Sequence, residues 1–194
     1  MMKLELCTYG NPVLREPAAP VAEITGKLKS LAEGMFEVMY AKKGLGLAAQ
    51  QVGQTVQVCV IDVPPEADMD KQGGARLNPG VAMPLVMFNP ALVEKRGSNN
   101  GSEGCLSVPD LYAPVLRAEE VTVEYVDLAG ERRRLTARGM LARAIQHEMD
   151  HLDGVLFVDR MSAIKKISLA GTLRRMKREM EERLGLGACP KGKF

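Results

Sequence analysis

The residues best suited to chemistry stand together at His147-Glu148-Met149-Asp150-His151, an HExxH. On a helix, residues four apart share one face a turn apart, so both imidazoles can reach one divalent ion. Glu148 projects beside them. It can take a proton from a water polarised by that ion and later deliver it to a leaving group. The chain has only 2 His, and this motif uses both, which makes a chance match or a buried structural pair the poorer explanation. A catalytic site of this type takes three protein ligands plus water, so a third ligand must come from elsewhere. The candidates are a downstream glutamate (Glu179, Glu181 or Glu182) and Cys105 within Glu103-Gly104-Cys105-Leu106-Ser107. The glutamates read better as the solvated face of a charged helix. Cys105 is the better ligand, because its glycine neighbour lets the backbone approach an ion; by itself a lone cysteine is a small buried hydrophobe.

Met140, Ala144, His147 and His151 are spaced 4, 3, 4 and so share the stripe that faces the ion. Met140 and Ala144 should then line an apolar pocket beside it. Arg143 is expected to point off this stripe, its stem packed and its charge in solvent.

These residues need elements to hold them. The steps of three and four among Ile24, Leu28, Leu31, Met35, Val38 and Met39 predict a helix over 24–43, stopped at Gly44. The small, glycine-rich run from Gly44 to Gln51 can approach another group closely. Residues 56–62 read as a strand, with Cys59 an inert core thiol, and 85–88 and 91–94 look extended. Between them, 64–84 is polar, rich in glycine and proline, and reads as an irregular surface insertion. Alternation over 121–127, a turn at Ala129-Gly130 and a run over 132–137 predict a hairpin. Residues 137–152 are the HExxH helix, 155–158 a short strand, and 162–184 a last helix. The order predicts an α+β fold, with mostly antiparallel sheets around a central HExxH helix and a C-terminal helix. One domain is expected over 1–184, with 185–194 a poorly ordered tail.

The composition sets outer bounds. With 46% hydrophobic and 26% charged residues, 194 residues are enough for one domain with a real core. A net charge of +2 favours no partner class. Cys7, Cys59, Cys105 and Cys189 form neither a CxxC nor a disulfide framework, which suggests a reducing compartment. No apolar leader and no run of membrane-spanning length are present, so the expected location is cytoplasmic.

Three segments together resemble the peptide deformylases. Gly44-Leu45-Gly46-Leu47-Ala48-Ala49-Gln50-Gln51 is similar to the family's GxGxAAxQ, Glu103-Gly104-Cys105-Leu106-Ser107 to its EGCLS, and Gln146-His147-Glu148-Met149-Asp150-His151-Leu152-Asp153-Gly154 to its QHExDHLxG. Gly10-Asn11-Pro12-Val13-Leu14-Arg15 looks like its N-terminal signature. Order and spacing agree from about Thr8 to Met161. The resemblance implies removal of the formyl group from the N-terminal formyl-methionine of nascent polypeptides, releasing formate. It implies that Cys105, His147 and His151 hold one divalent metal, natively Fe2+, with Zn2+, Ni2+ or Co2+ able to substitute. Glu148 would be the general base and acid. Gln51 and the backbone N–H of Leu106 would stabilise the oxyanion. Leu45, Gly46, Glu103 and Gly104 would pair with an extended peptide in the manner of strand addition. The substrate's methionine would sit beside Met140 and Ala144. The competing reading is a zinc endopeptidase with the same HExxH and a glutamate ligand. Cys105 in its EGCLS context and the segment ending at Gln51 stand against it. A non-catalytic metal protein would have no use for Glu148.

Residues 165–194 contain nine Lys/Arg and three Asp/Glu, a net +6 that leaves about −4 for the rest. Arg174, Arg175, Lys177 and Arg178 cluster tightly. The first reading is a solvated amphipathic helix, with Ile164, Ile167, Leu169 and Leu173 facing the body. The second, which the resemblance also implies, is a ribosome-facing patch.

Overall fold

A computed structural model describes residues 4–70 and 74–186. The first helix, α1, spans Gly26–Ala41, capped by Thr25, whose hydroxyl accepts from the Leu28 N–H at 3.4 Å. Seven strands follow: β1 Gly46–Ala48, β2 Val58–Ile61, β3 Leu85–Arg96, β4 Asn99–Cys105, β5 Val108–Arg117, β6 Glu120–Val126 and β7 Arg132–Arg138. The HExxH helix is α2, Gly139–Leu152, and after it come a single helical turn, α3 Phe157–Arg160, and the last helix, α4 Ala163–Arg183. The result is the α+β architecture that the sequence predicts. One five-stranded antiparallel sheet has the order β1-β2-β3-β6-β7, and β4 and β5 form a separate antiparallel pair.

Strand side chains alternate between faces, and here each face of the large sheet carries a helix. Leu47, Val58, Val60, Val86 and Phe88 point to α1, where they pack on Leu31, Met35 and Met39. Ala48, Cys59, Ile61 and Met87 point the other way, onto Leu141, Ala142 and Ile145 of α2. This double burial is why β2 is an unbroken apolar run. It also places Cys59, fully buried, where burial pushes its thiol pKa well up. A third cluster joins Val108, Leu111, Ala113 and Val115 of β5 to Leu156, Phe157 and Val158 and to Leu169, Leu173 and Met176 of α4.

Three expectations need correction, and one hairpin must be added. The extended pieces at 85–88 and 91–94 are one strand, β3, interrupted where Asn89 takes φ 49° and the register shifts. The Asn89 side chain there pairs with the backbone of Val21, accepting from its N–H and donating to its carbonyl, both at 2.7 Å. The strand expected at 155–158 is instead the start of α3. Asp159 accepts from the Leu156 N–H at 2.8 Å and is itself paired with Arg15, and this turns the chain. A four-residue apolar run carries no period that could have told the two apart. The hairpin of β4 and β5 went unread. Finally, Ile164 and Ile167 do not face the body: they are 82% and 77% exposed. The stripe of α4 that packs on the body is Leu169, Leu173 and Met176, partly buried, and Met180, buried, with Gly10 seated close against Lys177 and Met180.

The 64–84 segment is irregular, as expected, but anchored. Asp68 is 2% exposed and accepts from Arg76 Nε at 3.1 Å and from the N–H of Asn78 at 3.2 Å. Asn78 in turn pairs with the backbone of Arg138, at the entry to α2. Of the expected tail, 187–194 lies outside the described residues.

The α4 geometry gives an expected outcome. Met180→Ala should lower unfolding free energy by about 2 kcal/mol, while Ile164→Ala should stay within about 0.5 kcal/mol of the parent. Urea denaturation of the two variants reads both, and equal losses would mean that α4 docks through a different face.

Candidate metal centre and substrate cleft

The HExxH segment lies in the buried second half of α2. Among the described residues, one group of metal-ligating side chains converges: the donor atoms of Cys105, His147 and His151 all lie within 4.8 Å of one another. Cys105 Sγ is 3.2 Å from His151 Nε2. His147 donates from Nδ1 to Glu103 Oε2 at 3.1 Å, which leaves its other ring nitrogen for the cluster. The two rings meet edge to face with centroids 5.0 Å apart. The glutamates considered as alternative ligands, Glu179, Glu181 and Glu182, are on α4, with side chains 59%, 37% and 65% exposed and in i,i+4 pairs with Arg175, Lys177 and Arg178. Cys105 is therefore the residue that completes this cluster of donor atoms.

The donor set suits a borderline or soft divalent ion: one thiolate and two imidazoles. Two observations add to the fit. His151, 1% exposed, has a buried Nδ1 with no hydrogen-bond partner, and Glu148, 3% exposed, has a buried Oε2 without one. Burial raises the Glu148 carboxyl from its ordinary 4.5 to about 7, helped by the charges of Glu103 and Asp150 and opposed by His147 and Arg117. Gly46 makes room for it. A Cβ at position 46 would stand 2.4 Å from Glu148 Oε1, so any side chain there would push the carboxylate away.

Gln51 is 1% exposed and fixed at both ends. Its Oε1 accepts from the Ala48 N–H at 2.8 Å, so its Nε2 is the end aimed at the site, 3.1 Å from Ser107 Oγ and 3.5 Å from Cys105 Sγ. Leu106 lies at the cleft, in the tight turn between β4 and β5. The cleft has a volume of about 580 Å³, and Leu45, Gly46, Glu103, Gly104, Met140 and Ala144 all line it. It runs between two strand edges: β1 ends the large sheet and pairs only with β2, and β4 pairs only with β5 among the described strands.

Glu103 proves to be more than a rim residue. It is 5% exposed, and its carboxylate accepts from Arg117 Nε at 2.9 Å and Nη2 at 3.0 Å, and from Arg143 Nη1 at 2.6 Å, besides His147. Burial alone would raise its pKa; the bonds from His147 and Arg117 outweigh that and hold it at about 2. Arg117 passes the chain of pairs on to Asp150 at 2.5 Å, and Asp150 to Arg160 at 2.7 Å.

Arg143 contradicts the expectation of a solvent-facing charge. It is 8% exposed, donating to Glu103, to the carbonyls of Val115 at 3.0 Å and Gly101 at 3.3 Å, and to that of Asn99 at 2.8 Å. The physical reason is angular. Four residues turn a helix by roughly 400°, so Arg143 lies only about 40° from His147. Sequence reasoning missed Arg117, Asp150 and Ser107 as supports of the site. The i,i+4 spacing of Arg143 and His147 was the readable signal for the first member of this network.

Residues 3–167 match the family model described as polypeptide deformylase. The peptide deformylase of Acidobacterium capsulatum is 40% identical over 181 residues, covering 93% of this chain and 99% of that protein. That of Nitrosococcus oceani is 40% identical over 188 residues, covering 97% and 100%. Among solved structures, a plant peptide deformylase superposes with a TM-score of 0.83 at 34% identity, covering 97% of this chain and 96% of the other. The Synechococcus elongatus peptide deformylase in complex with actinonin gives 0.73 at 41% identity, covering 95% and 89%.

Glu103 sets a pH dependence. The folded protein holds this carboxyl at about 2 and the unfolded chain at the ordinary 4.5. Its stabilisation is therefore complete above pH 4.5 and is lost as pH falls toward 2, a span of roughly 3 kcal/mol. Glu103→Gln should cost roughly 3 kcal/mol at pH 7 by stranding buried guanidinium charge, and its deficit should shrink steadily below pH 4.5. Denaturant titrations at pH 7 and pH 3 measure both. A deficit that did not change with pH would show that this carboxyl is not ionised in the fold.

Proposed function

The chain belongs to the peptide deformylase family and hydrolyses the N-terminal formyl group of new polypeptides, and from that premise we infer how its own residues do so. The observation that carries the inference is the convergence of Cys105, His147 and His151 within 4.8 Å beside the unpartnered Oε2 of Glu148. These three residues would hold one divalent ion, Fe2+ by resemblance to the family. A divalent ion there supplies Lewis acidity, favours ionisation of water at neutral pH and offsets the burial that raises Glu148.

The formyl-peptide lies extended in the cleft, its backbone paired with the open edges at Leu45-Gly46 and Glu103-Gly104. Its methionine side chain enters beside Met140 and Ala144. Glu148 accepts the proton of the attacking water as the oxygen bonds to the formyl carbon. The carbonyl oxygen gains negative charge, and Gln51 Nε2 and the backbone N–H of Leu106 donate to it. Glu148 then delivers its proton to the amide nitrogen, the C–N bond breaks, and formate and a free α-amine leave. Gln51 suits this role because its carbonyl end is already held by Ala48, which fixes the amino end toward the site without further ordering. The endopeptidase reading is not favoured: its glutamate ligands stand on an exposed helix.

The exposed basic side chains of α4, Arg175, Lys177 and Arg178, support a further partner, the ribosomal surface from which formylated chains emerge. Among the described residues no helix is long and apolar enough to cross a membrane, and a protein that works beside the ribosome would be cytoplasmic.

Formate release from a formyl-Met-Ala-Ser peptide, by anaerobically prepared, iron-loaded protein, tests the chemistry. Glu148→Ala should lower kcat/KM by roughly 10²–10⁴-fold with its metal retained, and Cys105→Ala should lose the metal itself. A Glu148→Ala protein of full activity would overturn the assignment of the base. For the partner, reversing Arg174, Arg175 and Arg178 to glutamate should weaken ribosome binding and flatten its salt dependence. Unchanged, salt-insensitive binding would remove α4 from that contact.

A further inference from the structure

Beside the substrate cleft lies a second cavity, of about 820 Å³, partly enclosed by Ala67, Met69 and Leu77 from the 64–84 segment. The two spaces share three wall residues: Ser102, Met140 and Arg143. Met140 is 37% exposed, and Ser102 is a small side chain on β4. The long member is Arg143. It reaches from α2 to the hairpin opposite and ends on the carbonyls of Asn99 and Gly101 in β4 and of Val115 in β5. Its guanidinium lies close over Gly101, where a Cβ would stand 2.8 Å from Nη2 and 3.0 Å from Cζ. A side chain at position 101 would displace it. The pairing of a bare glycine with a buried, four-fold-bonded arginine gives a fixed wall rather than a mobile side chain.

We propose that Arg143 is the partition between the substrate side-chain pocket and this second cavity, and that it sets how long an N-terminal side chain the enzyme accepts. This rests on the reading that the substrate methionine enters beside Met140 and Ala144. Behind the partition Ala67, Met69, Leu77 and Ala118 supply apolar surface on which an alkyl chain can lie, within a rim that also carries Arg96, Glu119, Glu120 and Arg138. Burying a charged arginine at this point has a cost. Four acceptors compensate it: Glu103 and three carbonyls. The wall therefore stays closed against a flexible thioether chain, which cannot satisfy those acceptors if it pushes the guanidinium aside. Arg143 touches Glu103 as well as the partition, so its loss also loosens the support of His147. That effect falls on every substrate alike, whereas the partition acts on side-chain length alone.

The experiment compares kcat/KM for two formyl-peptides that differ only at the first residue, one with methionine and one with an unbranched eight-carbon side chain. In Arg143→Ala the ratio of long to methionine substrate should rise by about tenfold or more over the parent, the size expected when room for added methylenes opens. In Arg143→Met, which keeps the bulk but drops the bonds that fix it, the ratio should rise clearly less than in Arg143→Ala, while both rates fall together through Glu103. An unchanged ratio in a folded Arg143→Ala protein overturns the proposal, and so does a rise as large in Arg143→Met. If Arg143→Ala fails to fold, Arg143→Gln is measured in its place; it is too short to reach β4, and the same two outcomes apply. Ala144→Leu separates the premise from the proposal: it should raise KM for the methionine peptide about tenfold by filling the pocket. A KM that does not move means that the side chain enters elsewhere, whatever Arg143 does.

Discussion

One buried carboxylate organises the site. Glu103 takes hydrogen bonds from His147, Arg117 and Arg143, and these donors come from two different elements. His147 and Arg143 come from the central helix, Arg117 from β5, and Glu103 itself from β4. A lone carboxylate this deep would be driven to neutrality. With two guanidinium groups and a ring N–H around it the ionised form is the stable one, and the hairpin is then locked to the helix at a defined height. That height matters because Cys105 is two residues further along the same strand. The charge pairs set where the thiolate stands relative to the two histidines, and apolar packing alone does not specify register along a helix face that closely.

The second constraint is the approach of β1 to α2. Glu148 needs to be dry enough for its proton affinity to sit near neutrality, yet it needs open space in front of it. Packing of Ala48 and Cys59 on Leu141 and Ile145 brings the strand down onto the helix, and Gly46 leaves a gap where the carboxylate lies. The same strand is the last in its sheet, so its outer edge keeps unpaired backbone groups. An open edge is an aggregation hazard in most proteins. Here the facing edge of β4 stands across the cleft, and an extended peptide between them would satisfy both. Substrate bound in that way would complete hydrogen bonding that the fold leaves undone.

Much of this was legible before any coordinates. The HExxH spacing, the α1 periodicity and the β6–β7 hairpin each carry a strong local pattern, and each lies where the pattern put it, within a residue or two at the ends. The β4–β5 hairpin was not read, although β5 alternates cleanly: Val108, Leu111, Ala113 and Val115 are buried, and Tyr112, Pro114 and Leu116 between them are not. Its prolines at 109 and 114 and the glycines of β4 argued against strand, yet in a two-stranded pair both strands are edges, and there proline is tolerated. The failure at 155–158 was of another kind. Asp159 and Arg15 decide that turn, and they are 144 residues apart, so no local window contains the cause. The three converging donors and Glu148 were found by motif; the charges beneath them were not, because a buried arginine looks like a surface arginine until its partners are known.

Arg143 shows what the motif leaves undetermined. The spacing between it and His147 is the same as that between His147 and His151, so the helix presents guanidinium, imidazole and imidazole in one line. The two imidazoles need acceptors behind them to fix their rings, and an arginine at that height supplies a partner to the carboxylate rather than to the ring. A neutral residue there would leave Glu103 with Arg117 and His147 to oppose its burial, and would take away the donor that Arg143 gives to three strand carbonyls. The arginine meets both needs with one side chain. It can do so only because the strand opposite carries a glycine at 101, where the plane of the guanidinium has room to lie. The electrostatic support of the histidine and the shape of the substrate pocket are therefore set by the same pair of residues, and a change in either position alters both.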